Sequence, residues 1–460
     1  MPISTKFFRI FGCFFLFAIF FASCKPDNTS TSNIQAVKAL KDYDATSVTQ
    51  WQDLFLLVER YASGYRPCPS ARMTGYLGIA VYEATVSGTT DYQSIAPRYA
   101  GLAIPKVETG KEYHWPTVIN SVYATLFKKF FANVRTSDVF QIVSLESSLN
   151  AQYANQTSSD VFTRSKDYGK SVAQAVWDFS TTDTYGHDQY LNARPTSYVP
   201  PTGIGKWQPT PPGNERGLFP YWGKARVFAI QEADKVGRPP LTYSEDKISA
   251  YYAQGLEIYA RTTPQSSEDR WIAEFWSDDV LGFTFSPPSR WLAITTQAIN
   301  QDKSSLEKAV LAAVKVGLAL NDASVACWNS KYLYNVERPV TYMQKYIDPN
   351  WNIGNLTSTG FLPSTPSFPA YPSGHSTFGS AAAEALTSVF GEDFALTDRC
   401  HQNRTDFNGT PRSFGSFYDM AIENAYSRIW LGVHWRMDCD EGVRLGYLAG
   451  RRVNSLPFKK

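Results

Sequence analysis

The chain has five histidines, and two of them stand in stretches suited to anion chemistry. His375 follows Pro372, Ser373 and Gly374 at the mouth of an alanine-rich run, YPSGHSTFGSAAAEAL. His434 lies in SRIWLGVHWRMD, behind Ser427 and Arg428 and four residues before Asp438. A third stretch, KYLYNVERP, sets Lys331 and Arg338 apart by six residues. The three stretches bring one lysine and two arginines, and the planar fork of arginine suits oxyanions that accept two bonds at once. A helix starting near Ser373 would aim free N–H groups and its positive end outward. Gly374 lets backbone approach closely, and Ser373 adds a hydroxyl. If a helix begins at His434, Asp438 shares its face, holds one ring nitrogen and leaves the other for the anion. Each stretch alone reads equally well as a helix cap or a structural hydrogen bond. All three, in this order within 108 residues, predict a cradle for a tetrahedral oxyanion with a histidine at each pole.

In these motifs the chain resembles the vanadium-dependent haloperoxidases and the type-2 phosphatidic acid phosphatases and bacterial acid phosphatases that share their signature. Every signature position is filled, by Lys331, Arg338, Pro339, Pro372, Ser373, Gly374, His375, Ser427, Arg428, His434 and Asp438, and the specific likeness covers residues 328–440. The resemblance implies two packed helical bundles with the anion site in one of them. It implies vanadate held by Lys331, Arg338, Ser373, Gly374, Arg428 and His434, with His434 as the vanadium ligand. It implies catalytic roles for His375, Lys331, His434 and Asp438, and hydrogen peroxide and halide as substrates, yielding hypohalous acid. In the phosphatase branch the residue at His434 attacks phosphorus to form a phosphohistidine, and the residue at His375 protonates the leaving group.

The lining separates the two branches. Trp328 and Phe368 resemble the halide-side wall of fungal chloroperoxidases, and algal bromoperoxidases carry histidine where Phe368 stands. The flanks ERPVTY, DPNW and FPAYPSGHSTFG are also more similar to haloperoxidases. An aromatic wall favours a weakly hydrated halide over a bulky phosphoester. Some bacterial members resemble iodide specialists, so iodide or bromide is expected over chloride.

Helices must position these residues, and the fold class expected is all-α, with long Pro- and aromatic-rich loops around the anion site. Apolar residues recur at helical spacing in SVTQWQDLFLLVERYA, ARMTGYLGIAVYEATV, WPTVINSVYATLFKKFFANV and residues 159–179. Further helices are expected at 244–260, 290–299, 304–330, 414–431 and 437–453, after the one opened by PSGH. The resemblance implies that these helices form an N-terminal bundle over about 36–222 and a C-terminal bundle, with the active site, over about 240–460. Residues 180–222, with YVPPTGIGKWQPTPPGNERGLFPYW, are too rich in Pro and Gly for a regular element and too long for an idle connector, which predicts a structured loop lining a site. Residues 347–373 form a second irregular stretch. Tyr371, Ser376 and Trp435 adjoin the motifs as supporting candidates. His114, His187 and His401 read as surface or satisfied polar residues, and EDRWIAEFWSDD as a capped helix with solvated charges.

A formal charge of +2 argues against nucleic-acid partners, and 43% apolar residues allow a large core. Lys6 and Arg9 precede the apolar run Ile10–Ala22, which suits a signal peptide better than a membrane span. Small residues lead into Cys24, resembling a bacterial lipoprotein processing site. The expectation is a signal over 1–23, lipidation at Cys24, a polar tether over 24–35, and a lipid-anchored, periplasmic or cell-surface protein of the bacterial envelope. Cys68, Cys327, Cys400 and Cys439 allow three full pairings, which spacing cannot choose between.

Overall fold

The computed structural model describes residues 38–210, 216–353, 365–406 and 408–460. The signal, Cys24 and the tether lie outside these residues. Helices α1 (Thr46–Glu59), α2 (Cys68–Thr85), α3 (Trp115–Phe130), α4 (Thr136–Ala154) and α5 (Ser159–Thr181) come first. After a long irregular stretch come α6 (Ala250–Thr262), α7 (Ser267–Phe275), α8 (Pro287–Asp302), α9 (Leu306–Tyr334), α10 (Pro339–Tyr346), α11 (Gly374–Phe390), α12 (Phe417–Trp430) and α13 (Arg436–Asn454). The only sheet among the described residues pairs β1 (Leu396–Asp398) antiparallel with β2 (Arg412–Phe414).

Serine starts many of these helices. Ser158, Ser249, Ser266, Ser305, Ser373 and Ser416 each accept a bond from the backbone N–H three residues on, and such a cap is worth about 1 kcal/mol. Capping also corrects two boundaries. The helix expected at 244–260 begins only at Ala250, because Ser249 caps it and the preceding residues turn on Asp246. The helix expected from Phe414 begins at Phe417 behind Ser416, and Phe414 pairs in β2 instead. Two helices escaped the periodicity reading. In α4 only four residues are buried, so its apolar stripe is thin, and α10 is only eight residues long.

Helix α9 is apolar and long enough to cross a membrane, but it is the buried spine of the fold. It packs on α2 from the N-terminal half and on α11 and α13 from the C-terminal half. Helices α11 and α13 lie unusually close. A Cβ on Gly442 would stand 2.7 Å from Ser373 O, and one on Gly446 2.3 Å from Thr377 O. This contact, completed by Ser373 N–H donating to Asp438 O at 2.8 Å, ties the start of α11 to the start of α13. The two histidine motifs therefore meet although 58 residues lie between His375 and His434. Cys68, Cys327, Cys400 and Cys439 are all free thiols.

Candidate functional site

Five helix ends meet at or just behind one cavity of about 800 Å³. Lys331 lies in the last turn of α9, and Asn335 ends that helix in the left-handed conformation (φ 54°). Arg338 is the residue before α10, with Pro339 opening the helix. Ser373 caps α11, and Thr377 Oγ1 donates back to Ser373 O at 2.7 Å. Arg428 stands in the last turn of α12. The chain then turns at Gly432, whose φ of 83° and 2.9 Å approach to the Trp351 ring exclude a side chain, and His434 follows just ahead of α13.

His434 Nδ1 donates to Asp438 Oδ2 at 2.9 Å, and the same oxygen accepts Trp435 N–H at 3.0 Å. The helix begins at Arg436 and not at His434, so Asp438 caps it while orienting the ring. The imidazole is thereby held with Nε2 on the far side, where Arg338 Nη1 donates to it at 3.1 Å. Trp435 packs tilted against Tyr251 and edge-on against Tyr342, and donates its indole N–H to Glu337 O at 3.0 Å. Burial holds His434 well below the usual imidazole range, aided by Arg338 and Lys331. Burial also pushes Asp438 up to about 7 against the Trp435 N–H bond and the nearby cations.

The cations have almost no carboxylate partners. Lys331 Nζ donates to Pro369 O and Ala370 O at 2.8 and 2.9 Å. Arg338 donates to Phe368 O, Val433 O and His434, and Arg428 Nη1 to Trp276 O at 3.0 Å. All three are at most 3% exposed. Burial pulls Lys331 down to about 7, Arg338 to about 9 and Arg428 to about 10. Among the described residues, Arg338 Nη2, Arg428 Nε and His375 Nε2 are buried without a hydrogen-bond partner. Burial together with Arg428, Lys331 and Arg338 holds His375 well below its ordinary pKa. Buried donors left unsatisfied are costly, so this donor set fits a tetrahedral oxyanion that would accept from them.

Gly374, His375, Arg428 and His434 line the cavity. Lys331, Arg338 and Ser373 stand behind that surface and support it through the bonds just described. Trp328 and Phe368 also line it, their ring centroids 5.0 Å apart. The Phe368 ring lies 4.9 Å from Lys331 Nζ and 5.0 Å from the Arg338 guanidinium carbon, so one aromatic face serves two cations. Trp328 Nε1 donates to Leu218 O at 3.1 Å, which pins the Pro-rich loop to the aromatic wall.

That loop supplies Tyr190 to Arg194 and Leu218 to the cavity, as its composition predicted. The stretch 268–279 departs from expectation. Ser266 does cap α7, but Glu274 and Asp278 are buried, and Ser277, Asp278 and Asp279 line the cavity near Arg428. Among the described residues, no group of three or more His, Cys, Asp or Glu side chains is placed to hold a metal ion. Arg66, from the N-terminal half, was also missed, and its Nε lies 3.5 Å from Asp279 Oδ1. Of the supporting candidates, Tyr371 donates to Arg238 O at 2.6 Å, and Ser376 gives its backbone N–H to Ser373 Oγ at 3.3 Å. His114 is buried against Thr117, and His401 is buried beside Arg290. Arg226 holds Phe179 O and Tyr76 away from the cavity.

With this geometry established, comparison with known proteins places the chain. Residues 311–456 match the model of the VCPO second helical-bundle domain. The chain is 26% identical over 278 residues to a vanadium chloroperoxidase of Curvularia inaequalis, covering 48% of this chain and 46% of that one. It is 31% identical over 108 residues to a vanadium-dependent bromoperoxidase of Ascophyllum nodosum, covering 22% and 19%. Each match thus spans less than half of the relative. A bacterial vanadium-dependent iodoperoxidase structure superposes with a TM-score of 0.78 at 28% identity, covering 91% of this chain and 97% of that one. A bacterial vanadium-dependent chloroperoxidase shares the fold, with a TM-score of 0.66 at 14% identity over 86% and 92%. The fold is a helical bundle in which buried cations and two histidines gather at one cavity. Its C-terminal part carries the VCPO second helical-bundle domain, and the chain is similar to vanadium haloperoxidases.

Proposed function

We propose that the protein is a vanadate-dependent haloperoxidase that consumes hydrogen peroxide, halide and a proton and releases hypohalous acid and water. The observation that carries this is the set of buried, carboxylate-poor cations, Lys331, Arg338 and Arg428, around a histidine whose far nitrogen is presented by Asp438. Vanadate would be held by His434 Nε2, with Arg338, Arg428, Lys331, Ser373 and the Gly374 backbone facing its oxygens. When bound, it supplies a Lewis-acidic centre at which peroxide becomes open to attack by halide.

The chain's own residues do the rest. Asp438 keeps His434 in the tautomer with Nδ1 protonated, leaving Nε2 as the ligand atom. The preorganised cations stabilise negative charge on the oxygens without reorganising, because their positions are set by backbone carbonyls. His375, neutral in the resting site, exchanges the proton at Nε2 that the stoichiometry requires. Trp328 and Phe368 keep one wall apolar, where a large, weakly hydrated halide loses least on leaving water. Iodide and bromide are favoured on that ground, and the iodoperoxidase likeness over nearly the whole chain supports the same preference.

The test is a paired assay. Metal-stripped protein incubated with orthovanadate should gain peroxide-dependent oxidation of iodide first, then bromide, and chloride least. Hydrolysis of p-nitrophenyl phosphate by the vanadate-free form, without peroxide chemistry after loading, would transfer the protein to the phosphatase branch and make Trp328 and Phe368 packing residues.

For the N-terminus we propose lipidation of Cys24 and attachment to the bacterial cell envelope, supported by Lys6, Arg9 and the apolar run Ile10–Ala22. Metabolic labelling with palmitate should mark the wild type and not Cys24→Ser; equal labelling would contradict it.

A further inference from the structure

Lys315 lies midway along α9, between Val314 and Val316, and is 9% exposed. Its ammonium donates to Ser388 Oγ at 2.9 Å and stands 5.6 Å from the Phe458 ring centroid, and among the described residues it forms no ion pair. A buried cation without a counter-charge is unfavourable, and nothing in the oxyanion chemistry uses this one. Sixteen residues separate Lys315 from Lys331, about 24 Å along a helix.

Lys315 faces its own cavity of about 530 Å³, between α9, the ends of α11 and α13, and the C-terminal tail. The charges around it leave a positive balance. Lys308 is already paired with Asp302 at 2.9 Å. Lys459 stands close enough to repel Lys315, and together with burial it lowers the amine to about 8. Glu307, the acid in the wall, is pushed up by burial and by Asp91, and Tyr92 lies beside it. Ser388 Oγ and Asn454 Oδ1, 2.8 Å apart, add a polar pair next to the ammonium, while Leu311, Val389 and Phe458 form an apolar wall.

We propose that this cavity is a second anion site, independent of the oxyanion cradle, that takes a small organic carboxylate. The carboxylate pairs with Lys315 beside Ser388, and the apolar body lies along Leu311, Val389 and Phe458. The wall holds no arginine fork, Lys308 is committed to Asp302, and Lys315 is the ammonium beside Ser388, which matches a singly charged head better than a phosphate; the mixture of apolar wall and few polar groups is that of a small-molecule pocket.

Hexanoate titrated calorimetrically into the full chain should bind saturably at one site. Lys315→Met should weaken that binding at least about tenfold, since a buried charge partner is lost, and Lys170→Met, on the exposed face of α5, should leave it unchanged. Inorganic phosphate should fail to displace hexanoate. Independently of any variant, hexanoate should protect Lys315 of the wild type from acetylation by acetic anhydride, read by mass spectrometry. Absence of saturable binding, equal binding by Lys315→Met, or acetylation of Lys315 unaffected by hexanoate would overturn the site. Displacement by phosphate would overturn the carboxylate assignment.

Discussion

Two buried clusters of charge in this molecule use arginine in opposite ways. Arg290 is fully buried, and its Nε and Nη2 donate to Asp398 Oδ2 at 3.1 and 2.7 Å, with Asp278 at 3.4 Å and His401 alongside. Burial pulls its pKa down, but Asp398, Cys400 and Asp278 together outweigh burial and raise it, while Asp398 itself is held low by Arg290. Arg338 is equally buried, yet its protein partners are carbonyls and a neutral imidazole, and its pKa falls to about 9. Carbonyls orient a guanidinium without cancelling its charge. The first arrangement is complete within the protein, and the second awaits an anion.

The comparison can be broken at several points. The largest effect is expected at His434→Ala, which should abolish stable vanadate binding and halide oxidation together; retained turnover would sink the site. Next comes the same substitution made in both clusters. Arg290→Met should lower stability by about 3–5 kcal/mol, because it strands a buried carboxylate. Arg338→Met should cost vanadate-free protein at most about 1–2 kcal/mol, the penalty for carbonyls losing a donor, while reducing turnover about 10²–10³-fold as an oxyanion donor is lost. Urea unfolding and steady-state kinetics measure both, and equal stability losses would erase the distinction. Asp438→Ala should be milder, about 10–100-fold in vanadate affinity or activity, as for other groups that orient a metal-binding histidine; failure to fold would mark it as structural.

A pH slope tests the same contrast by another route. Burial lowers Lys331 from 10.5 to about 7, so the unfolded chain binds more protons there between those values. Stability of vanadate-free protein should therefore gain from Lys331 as pH rises through that window and lose as pH falls toward 7. Lys331→Met should flatten the wild-type slope between pH 7 and 10, and an unchanged difference curve would contradict a cation held without a counter-charge.

The cradle could be read in the sequence because its residues lie in short motifs with fixed local spacing. His434 and Asp438 meet through the geometry of one helix start, and Ser373 caps its own helix. The rest of the cavity wall could not be read. Arg66, Tyr190, Asp278 and Asp279 come from three separated segments, and only tertiary packing brings them together. The Asp278–Asp279 doublet, following an aromatic-rich helix, was the one local hint, and it reads equally well as solvated charge. The support given to Lys331 by Pro369 O and Ala370 O was hidden for a related reason: backbone carbonyls leave no mark in residue types. Among the helices, α4 was missed because so few of its residues are buried.

The most direct test of the central claim is the response of stability to orthovanadate. Urea unfolding of metal-stripped wild type should shift to higher midpoint as vanadate is added, by about 2.7 kcal/mol at one hundred times the dissociation constant. The Arg338→Met, Arg428→Met double variant should show no shift. A wild type whose stability ignores vanadate, or a double variant that responds as strongly, would mean that these buried cations are not an oxyanion site.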